Sequence, residues 1–258
     1  MMLLLVAGAA ALVAPGSRLP RAVVCGGATY DYCVQALGCT AAEATKAERR
    51  IMPNIAEWIT FARIEESCGW LQSSLDLSDA ELKKMVLTFP QMLSLSVEDN
   101  MAPKLDWLQK RLDLGDAQLR KLVVKQPPLL GYSVEDNMAP KLDWLQTRLD
   151  LDDAGLRKTV LQLPAVLGSS VEDNLAPKLD FLAREIGLSR AELRDWVVKN
   201  PSILGYSLVN RYRPRLEACR AAGVDVRRVL SYAKESDEFF CERVGVPLEA
   251  LRAAQENV

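Results

Sequence analysis

The stretch SRAELRDWVVKNPSILGYSLVNRYRPRLEACRAAG, residues 189–223, contains two prolines, each placed after a run with helical spacing. Steps of 37 residues towards the N-terminus find proline again at both positions. The first series is Pro201, Pro164, Pro127, Pro90 and Pro53, and the second is Pro214, Pro177, Pro140 and Pro103, with Glu66 at the next step. A constant period of this length is typical of a repeat array. We therefore predict an all-α fold, an α-solenoid of tandem 37-residue helical repeats.

Each repeat is predicted to contain two helices separated by a proline turn. In the first full repeat, Ser78 and Glu81 have capping-box spacing, and helix A is predicted over residues 79–88. A short helical turn follows, and Ser96 is placed to cap helix B. Pro103 falls inside helix B and must either kink or divide it, because proline removes one backbone hydrogen bond and clashes with the preceding turn.

Apolar residues recur with the same period and define a predicted core. The four ladders are Leu82, Leu119, Leu156, Leu193; Val86, Val123, Val160, Val197; Leu93, Leu130, Leu167, Leu204; and Leu105, Leu142, Leu179, Leu216. An aromatic ladder runs through Trp70, Trp107, Trp144 and Phe181 and ends at Ala218. Such a row could stack nucleobases, but we favour a packed seam between repeats, because two short helices cannot bury both apolar faces alone.

Composition excludes several classes of catalytic and metal site. The chain has 258 residues, a formal net charge of −2 and no histidine, so histidine-based triads and histidine metal ligands are absent. The six cysteines form no C-x-x-C pair and do not follow the period, which indicates reduced thiols in buried positions. No phosphate-binding glycine motif is present, and the recurring Glu-Asp pairs suit helix N-termini. We predict no catalytic residue, no metal and no cofactor.

The N-terminal segment differs from the rest of the chain. An apolar run of about fourteen residues, too short to span a membrane, is followed by a basic tract with no acidic residue before Asp31. We interpret residues 1–29 as a targeting leader for a plastid, with a mitochondrion or secretion as alternatives. The remaining predicted boundaries are a degenerate repeat at 30–77, full repeats at 78–223 and a C-terminal cap at 224–258, with no membrane association after leader removal.

Cations also recur with the 37-residue period, so a nearly neutral chain can still carry basic stripes. The helix A ladder consists of Lys83, Arg120, Arg157 and Arg194, and the helix B ladder consists of Lys104, Lys141, Lys178 and Arg215. The last repeat adds Lys199, Arg211 and Arg213. These eleven residues are the candidate nucleic-acid contacts. Four productive phosphate contacts on duplex DNA would give a log-log salt slope of roughly −3.6. The alternative is that these cations belong to ordinary solvated helix faces.

The repeat sequence resembles that of the mitochondrial transcription termination factor (mTERF) family. The closest resemblance is PSILGYSLVNRYRPRLEACRAAG, residues 201–223, which is similar to the last repeat of that family, and SDEFFCERV, residues 236–244, resembles its closing segment. The resemblance implies a curved superhelix, an organellar location, and binding of duplex DNA or RNA along a concave basic face. It further implies a role in transcription termination or initiation, transcript maturation or ribosome assembly.

We therefore expect an organellar, non-enzymatic nucleic-acid-binding regulator of gene expression that acts as a monomer. The sequence does not distinguish DNA from RNA. A protein-binding α-solenoid, for example a scaffold in organellar ribosome assembly, is the alternative, because repeat arrays expose long surfaces that also suit proteins. The acidic middle repeats favour this alternative, whereas the arginines of the last repeat favour nucleic acid.

Overall fold

The computed structural model describes residues 27–51 and 59–256, and every regular element in these two ranges is helical. Most of the predicted leader and Pro53 lie outside the described residues. The α-helices in chain order are α1 (Ala28–Gln35), α2 (Ala41–Glu48), α3 (Phe61–Leu75), α4 (Asp79–Thr88), α5 (Ala102–Leu112), α6 (Asp116–Lys125), α7 (Ala139–Leu149), α8 (Asp153–Gln162), α9 (Ala176–Ile186), α10 (Arg190–Lys199), α11 (Arg213–Ala221), α12 (Arg228–Ser231), α13 (Asp237–Val244) and α14 (Leu248–Glu256).

Four full units repeat along the chain, starting at residues 78, 115, 152 and 189. Helix A of each unit is α4, α6, α8 or α10, and helix B ends in α5, α7, α9 or α11. The predicted bounds of the first helix A agree with the structure, where Ser78 and Glu81 form the expected capping box. Ser96 likewise accepts a hydrogen bond from the backbone N–H of Asp99, as predicted. The all-α repeat prediction is confirmed.

A short 3₁₀ turn follows helix A in every unit and starts at the first of the two prolines that recur every 37 residues. The four turns are Pro90–Ser94, Pro127–Gly131, Pro164–Gly168 and Pro201–Leu204. Proline is tolerated there because the first N–H groups of a helix have no intrahelical partner. The turn redirects the chain from helix A into helix B.

Pro103 divides helix B, which answers the question that the sequence left open. Residues Val97–Met101 form a π-helical turn, in which the Ala102 N–H bonds to the Val97 carbonyl, and the α-helix begins at Ala102. Pro103 therefore occupies the first turn of the α-helix, where its missing N–H does not interrupt the helical ladder. The same division recurs in the other units, with π-helical turns at Val134–Met138, Val171–Leu175 and Leu208–Tyr212.

Successive units stack through their A helices. Helix α8 packs against α6, the preceding helix A, and also against α5 and α7, the two preceding B helices. All four predicted apolar ladders are buried in the resulting core, as expected for an array in which each unit covers its neighbour. The aromatic ladder is half-buried and packs against this core, and Ala218 at its end is buried.

Four helices at the helix B position, α3, α5, α7 and α9, end at a residue with left-handed backbone conformation, whereas α11 ends at Ala222 in the right-handed region. Asp76, Asp113 and Asp150 adopt φ values of 50°, 48° and 53°, and Gly187 adopts 70° at the equivalent position of the third unit. Glycine adopts this conformation without steric cost, and aspartate is one of the few other residues that tolerates it. The three aspartate carboxylates consequently project from the turn that joins one unit to the next.

The C-terminal segment packs on the last unit, with α14 against α11. Cys33, Cys39, Cys68, Cys219 and Cys241 are free and buried, so the prediction of reduced thiols is confirmed for these five. Cys25 lies outside the described residues. Within 27–51 and 59–256, no helix has both the length and the apolar character that crossing a bilayer requires.

Candidate nucleic-acid interface

The helix B ladder is buried, contrary to the expectation that it forms an exposed stripe. Lys104, Lys141, Lys178 and Arg215 are 5%, 7%, 3% and 1% exposed. Each lysine ammonium donates to a carbonyl 26 residues ahead, at the 3₁₀ turn of the next unit, and to an asparagine four residues behind. The three lysines join adjacent units, and Arg215 binds the C-terminal segment, so these four cations do not form an exposed stripe.

Helical periodicity explains why the lysine of this ladder is buried. Lys104 is three residues after Met101 and four before Leu108, and both of these residues are fully enclosed in the core. Residues at these spacings share one face of a helix, so Lys104 lies on the apolar stripe. Burial lowers the pKa of the Lys104, Lys141 and Lys178 ammonium groups, because the charged form loses hydration. The two oxygen acceptors at each ammonium compensate part of that loss.

The helix A ladder lies in register along one side of the array, but its charges are already paired. Arg157 and Arg194 reach Asp113 and Asp150, the left-handed residues that end earlier B helices, and Arg120 similarly reaches Asp76. Each arginine pairs with an aspartate 44 residues earlier, so the ion pairs link units that are not adjacent in sequence. These arginine side chains remain about a third exposed. A phosphate that contacts them has to compete with a carboxylate.

The first two members of the helix A ladder make further contacts with earlier parts of the chain. Lys83 donates to the Gly38 carbonyl at 2.8 Å and lies 3.8 Å from the Glu43 carboxylate. Arg120 also binds Glu81, and the pKa of Glu81 falls to about 2, mainly through its hydrogen bond from Ser78 and then through that from Arg120. The ladder is therefore a row of links between units whose cations are partly accessible.

The arginine cluster of the last unit is divided by the C-terminal segment. Arg215 donates to the Tyr232 and Glu235 carbonyls and pairs with Asp237 at 2.7 Å. Arg211 donates to the Ala233 and Glu235 carbonyls and is only half-exposed. The expectation that Arg211, Arg213 and Arg215 act together as an exposed cluster is therefore wrong. Burial against the C-terminal segment occupies two of the three guanidinium groups.

Arg213 remains exposed, and its guanidinium lies 5.7 Å from the centroid of the Phe181 ring. It takes the position that Ala102, Ala139 and Ala176 hold in the other units. Within the described ranges it has no carboxylate partner. Arg213 is consequently the member of the cluster that a phosphate group can reach directly.

A second row of cations, which the sequence reasoning missed, is exposed beside the helix A ladder. Lys84, Lys121 and Lys158 also recur every 37 residues, and we call them the lysine row. No ammonium of this row forms a salt bridge or hydrogen bond with any described residue. Their period was visible in the sequence, but charge alone did not separate free cations from paired ones.

Lys158, the last member of the lysine row, borders a groove between two successive A helices. This groove of about 520 Å³ between α8 and α10 is lined by Lys158, Arg194 and Lys199, together with Asp150, Asp152 and Asp195. Two of these aspartates pair with Arg194, whereas Lys158 and Lys199 are exposed and have no carboxylate partner in the described part of the chain. Lys158 and Lys199 are therefore the two cations of this groove that remain available to a phosphate, although its three cations and three carboxylates sum to zero charge. Exposed ammonium groups at a regular spacing suit sequence-independent phosphate contacts.

No cluster of three or more metal-ligating side chains occurs among residues 27–51 and 59–256. The buried thiols of Cys33 and Cys68 have their pKa raised to about 12 and about 11, chiefly by burial, which makes them poor nucleophiles at neutral pH.

Comparison with known proteins places these observations in one family. The model of the mTERF family matches residues 63–241, which is more than half of the chain. The match begins within α3 and ends within α13, so it includes all four full units. A search of curated proteins finds no match.

Proposed function

Since the chain belongs to the mTERF family, whose members are non-enzymatic nucleic-acid-binding proteins of organellar gene expression, we propose that it binds duplex DNA or RNA through exposed cations on its helix A face. The observation that carries this proposal is the lysine row, in which three unpaired ammonium groups repeat along the stacked A helices. Lys199 and Arg213 add exposed cations at the last unit. We propose transcription termination or another step of transcription regulation as the process.

The helix A ladder supports this interface in a secondary role. Arg120, Arg157 and Arg194 are partly exposed and lie beside the lysine row, but each is paired with a carboxylate, so their role is to hold together the units that carry the row. Lys83 occupies the same register in the first unit. The buried helix B ladder, in contrast, does not belong to the proposed interface, and its contribution to binding is limited to keeping the array in shape.

Removing the lysine row tests the proposal directly. Replacing Lys84, Lys121 and Lys158 with alanine is expected to weaken binding to mixed-sequence duplexes and to reduce the salt slope by about 2.7, if each lysine contacts one phosphate. Fluorescence anisotropy titrations at several salt concentrations measure both quantities. Stability should change little, because all three side chains are exposed.

A matched control removes the same number of positive charges from other surfaces. Lys110, Lys234 and Arg252 are exposed on helix B and the C-terminal segment. Their triple alanine variant has the same net charge as the lysine-row variant, so a shared loss of affinity would reflect net charge alone. Unchanged affinity and salt slope in the lysine-row variant would contradict the proposed interface. Arg213→Ala tests the last unit without disturbing Arg211 and Arg215, which hold the C-terminal segment.

A protein-binding scaffold is the second candidate, and the helix B face favours it. Glu98, Glu135 and Glu172 are exposed at the start of successive B helices, where they repel a phosphate chain. In the last unit the equivalent position is Val209, which is 45% exposed. If neither the wild type nor any variant binds nucleic acid at low salt, the scaffold is favoured over the proposed function.

We propose a plastid location, with a mitochondrion as the alternative, on the composition of the leader. A fluorescent protein fused behind residues 1–29 is expected to enter plastids, because the leader combines an apolar run with a basic tract that contains no acidic residue. Imaging against plastid and mitochondrial markers measures the outcome. Import into mitochondria would support the alternative, and fluorescence in neither organelle would contradict an organellar leader.

A further inference from the structure

Trp196 is half-exposed at a position that is otherwise part of the core. Its equivalents in the earlier units, Met85, Leu122 and Thr159, are each 0% exposed, and the following unit packs against each helix that carries them. A fifth helix A would fall at residues 227–236, but the described structure has only the four-residue α12 there. The array therefore ends with an indole face that no further unit covers.

The uncovered indole lies in a small recess beside a cation. The recess, of about 160 Å³, is lined by Glu192, Asp195, Trp196 and Lys199. The Lys199 ammonium lies 5.9 Å from the centroid of the Trp196 ring. Asp195 and Lys199 also line the larger groove that contains Lys158, so the recess continues the proposed phosphate-binding surface.

The recess is lined by two carboxylates that pair with arginines and by one ammonium without a carboxylate partner. Glu192 accepts hydrogen bonds from Ser189 and Arg227, and Asp195 pairs with Arg194. The Lys199 ammonium has no carboxylate partner among the described residues, so it is the cation beside the indole that remains available to a phosphate. An aromatic face next to a free cation matches one nucleotide, whose base stacks on the ring while its phosphate meets the ammonium.

We propose that Trp196 stacks an unpaired base of the bound nucleic acid, with Lys199 on the adjoining phosphate. This inference rests on the proposed function, because the recess is reached by continuing along the lysine row. Bases inside a duplex are already stacked on their neighbours, so the recess selects a ligand with a single-stranded extension. Stacking on an aromatic ring tolerates every base, so the site prefers unpaired nucleotides without reading their sequence.

Three ligands separate base stacking from phosphate attraction. They are a blunt DNA duplex, the same duplex with a short single-stranded extension, and the same extension with abasic nucleotides. The full chain is expected to bind the base-bearing extension about tenfold more tightly than the abasic one. Because the two extensions carry the same phosphates, this ratio reports the stacked base. Anisotropy titrations at constant salt measure it.

Two variants of Trp196 assign the effect. Trp196→Leu introduces leucine, the residue at the equivalent position 122. It is expected to bind both extensions equally and to leave affinity for the blunt duplex unchanged. Trp196→Phe should retain a preference for the base-bearing extension, because it keeps an aromatic face. Equal binding of both extensions by the wild type, or an unchanged ratio in Trp196→Leu, overturns the inference. Failure of the wild type to bind even the blunt duplex at low salt refutes the proposed function and this inference with it.

Discussion

Replacing Arg215 with alanine is expected to lower the free energy of unfolding by about 3 kcal/mol, because a buried cation with several acceptors would be lost. The Arg215 side chain is 1% exposed, donates to the Tyr232 and Glu235 carbonyls, and pairs with Asp237. Its guanidinium also lies 4.4 Å from the centroid of the Phe240 ring. The Asp237 side chain is 35% exposed and can recover water, which keeps the cost at the lower end for a broken buried pair.

Chemical denaturation followed by circular dichroism measures this change. Arg213→Ala is the matched control, since Arg213 is two residues away, exposed, and expected to alter stability by less than about 0.5 kcal/mol. Equal effects of the two substitutions would contradict the structural role of Arg215. The loss of stability in Arg215→Lys should be smaller than in Arg215→Ala and larger than in Arg213→Ala. Lysine is the residue at this position in the other three units, but it cannot match the planar donors of arginine.

The effect of Arg215→Ala should also depend on pH. Burial raises the pKa of Asp237, but hydrogen bonds from Arg215 and Gln255 outweigh burial, so the pKa of the carboxyl is lowered in the folded protein. A lowered folded-state pKa contributes stability above the ordinary aspartate range, and this contribution is lost as the pH falls through the folded-state value. The difference between wild type and variant is therefore expected to be larger at neutral pH than in acid.

Replacing Lys141 with methionine is expected to lower the free energy of unfolding by about 2 kcal/mol, because two oxygen acceptors would lose their donor in a largely buried site. The Lys141 ammonium donates to the Leu167 carbonyl and to the Asn137 side chain, at 2.5 Å and 3.2 Å. Methionine keeps the apolar stem in place, so the measured loss reports mainly the ammonium. The variant should unfold at lower denaturant concentration than the wild type.

Lys158→Met provides the control for this substitution, because Lys158 is exposed and has no donor role within the described residues. Lys158→Met should change the free energy of unfolding little and weaken nucleic-acid binding. Lys141→Met should lower the free energy of unfolding and leave the affinity of the folded molecules for nucleic acid unchanged. Since solenoid stability depends on contacts between neighbouring units, loss of the Lys141 link can also uncouple units 2 and 3 and broaden the transition. If the denaturation midpoint of Lys141→Met equals that of the wild type, the buried ammonium adds nothing to stability.

Several local features were predictable from sequence because their causes lie within a few residues. The bounds of α4 follow from the Ser78–Glu81 capping box and from Pro90, and the cap at Ser96 follows from its place before helix B. The position of Lys104 on the apolar stripe was also available from its spacing to Met101 and Leu108. Grouping residues by charge rather than by helical face led to the wrong prediction for the helix B ladder.

Other features could not be inferred from spacing. Arg157 meets Asp113 across 44 residues, and Arg215 meets Asp237 across a turn whose path the repeat pattern does not describe. Both contacts depend on how far each unit rotates and shifts relative to its neighbours. The free state of Lys84, Lys121 and Lys158 depends on the same geometry, since a cation is free only when no carboxylate of another unit is within reach.

The 37-residue period, the paired helices and the membership of the core follow from the order of residues alone, because helix caps, prolines and apolar spacing act over one or two turns. The division of the cations into buried links, paired ladders and free lysines arises only when the units stack. Stacking brings carbonyl and carboxylate oxygens from distant parts of the chain to some ammonium and guanidinium groups and leaves others in water. The exposure of Trp196 also depends on stacking, because no helix A follows α10 in the described part of the chain to cover the indole.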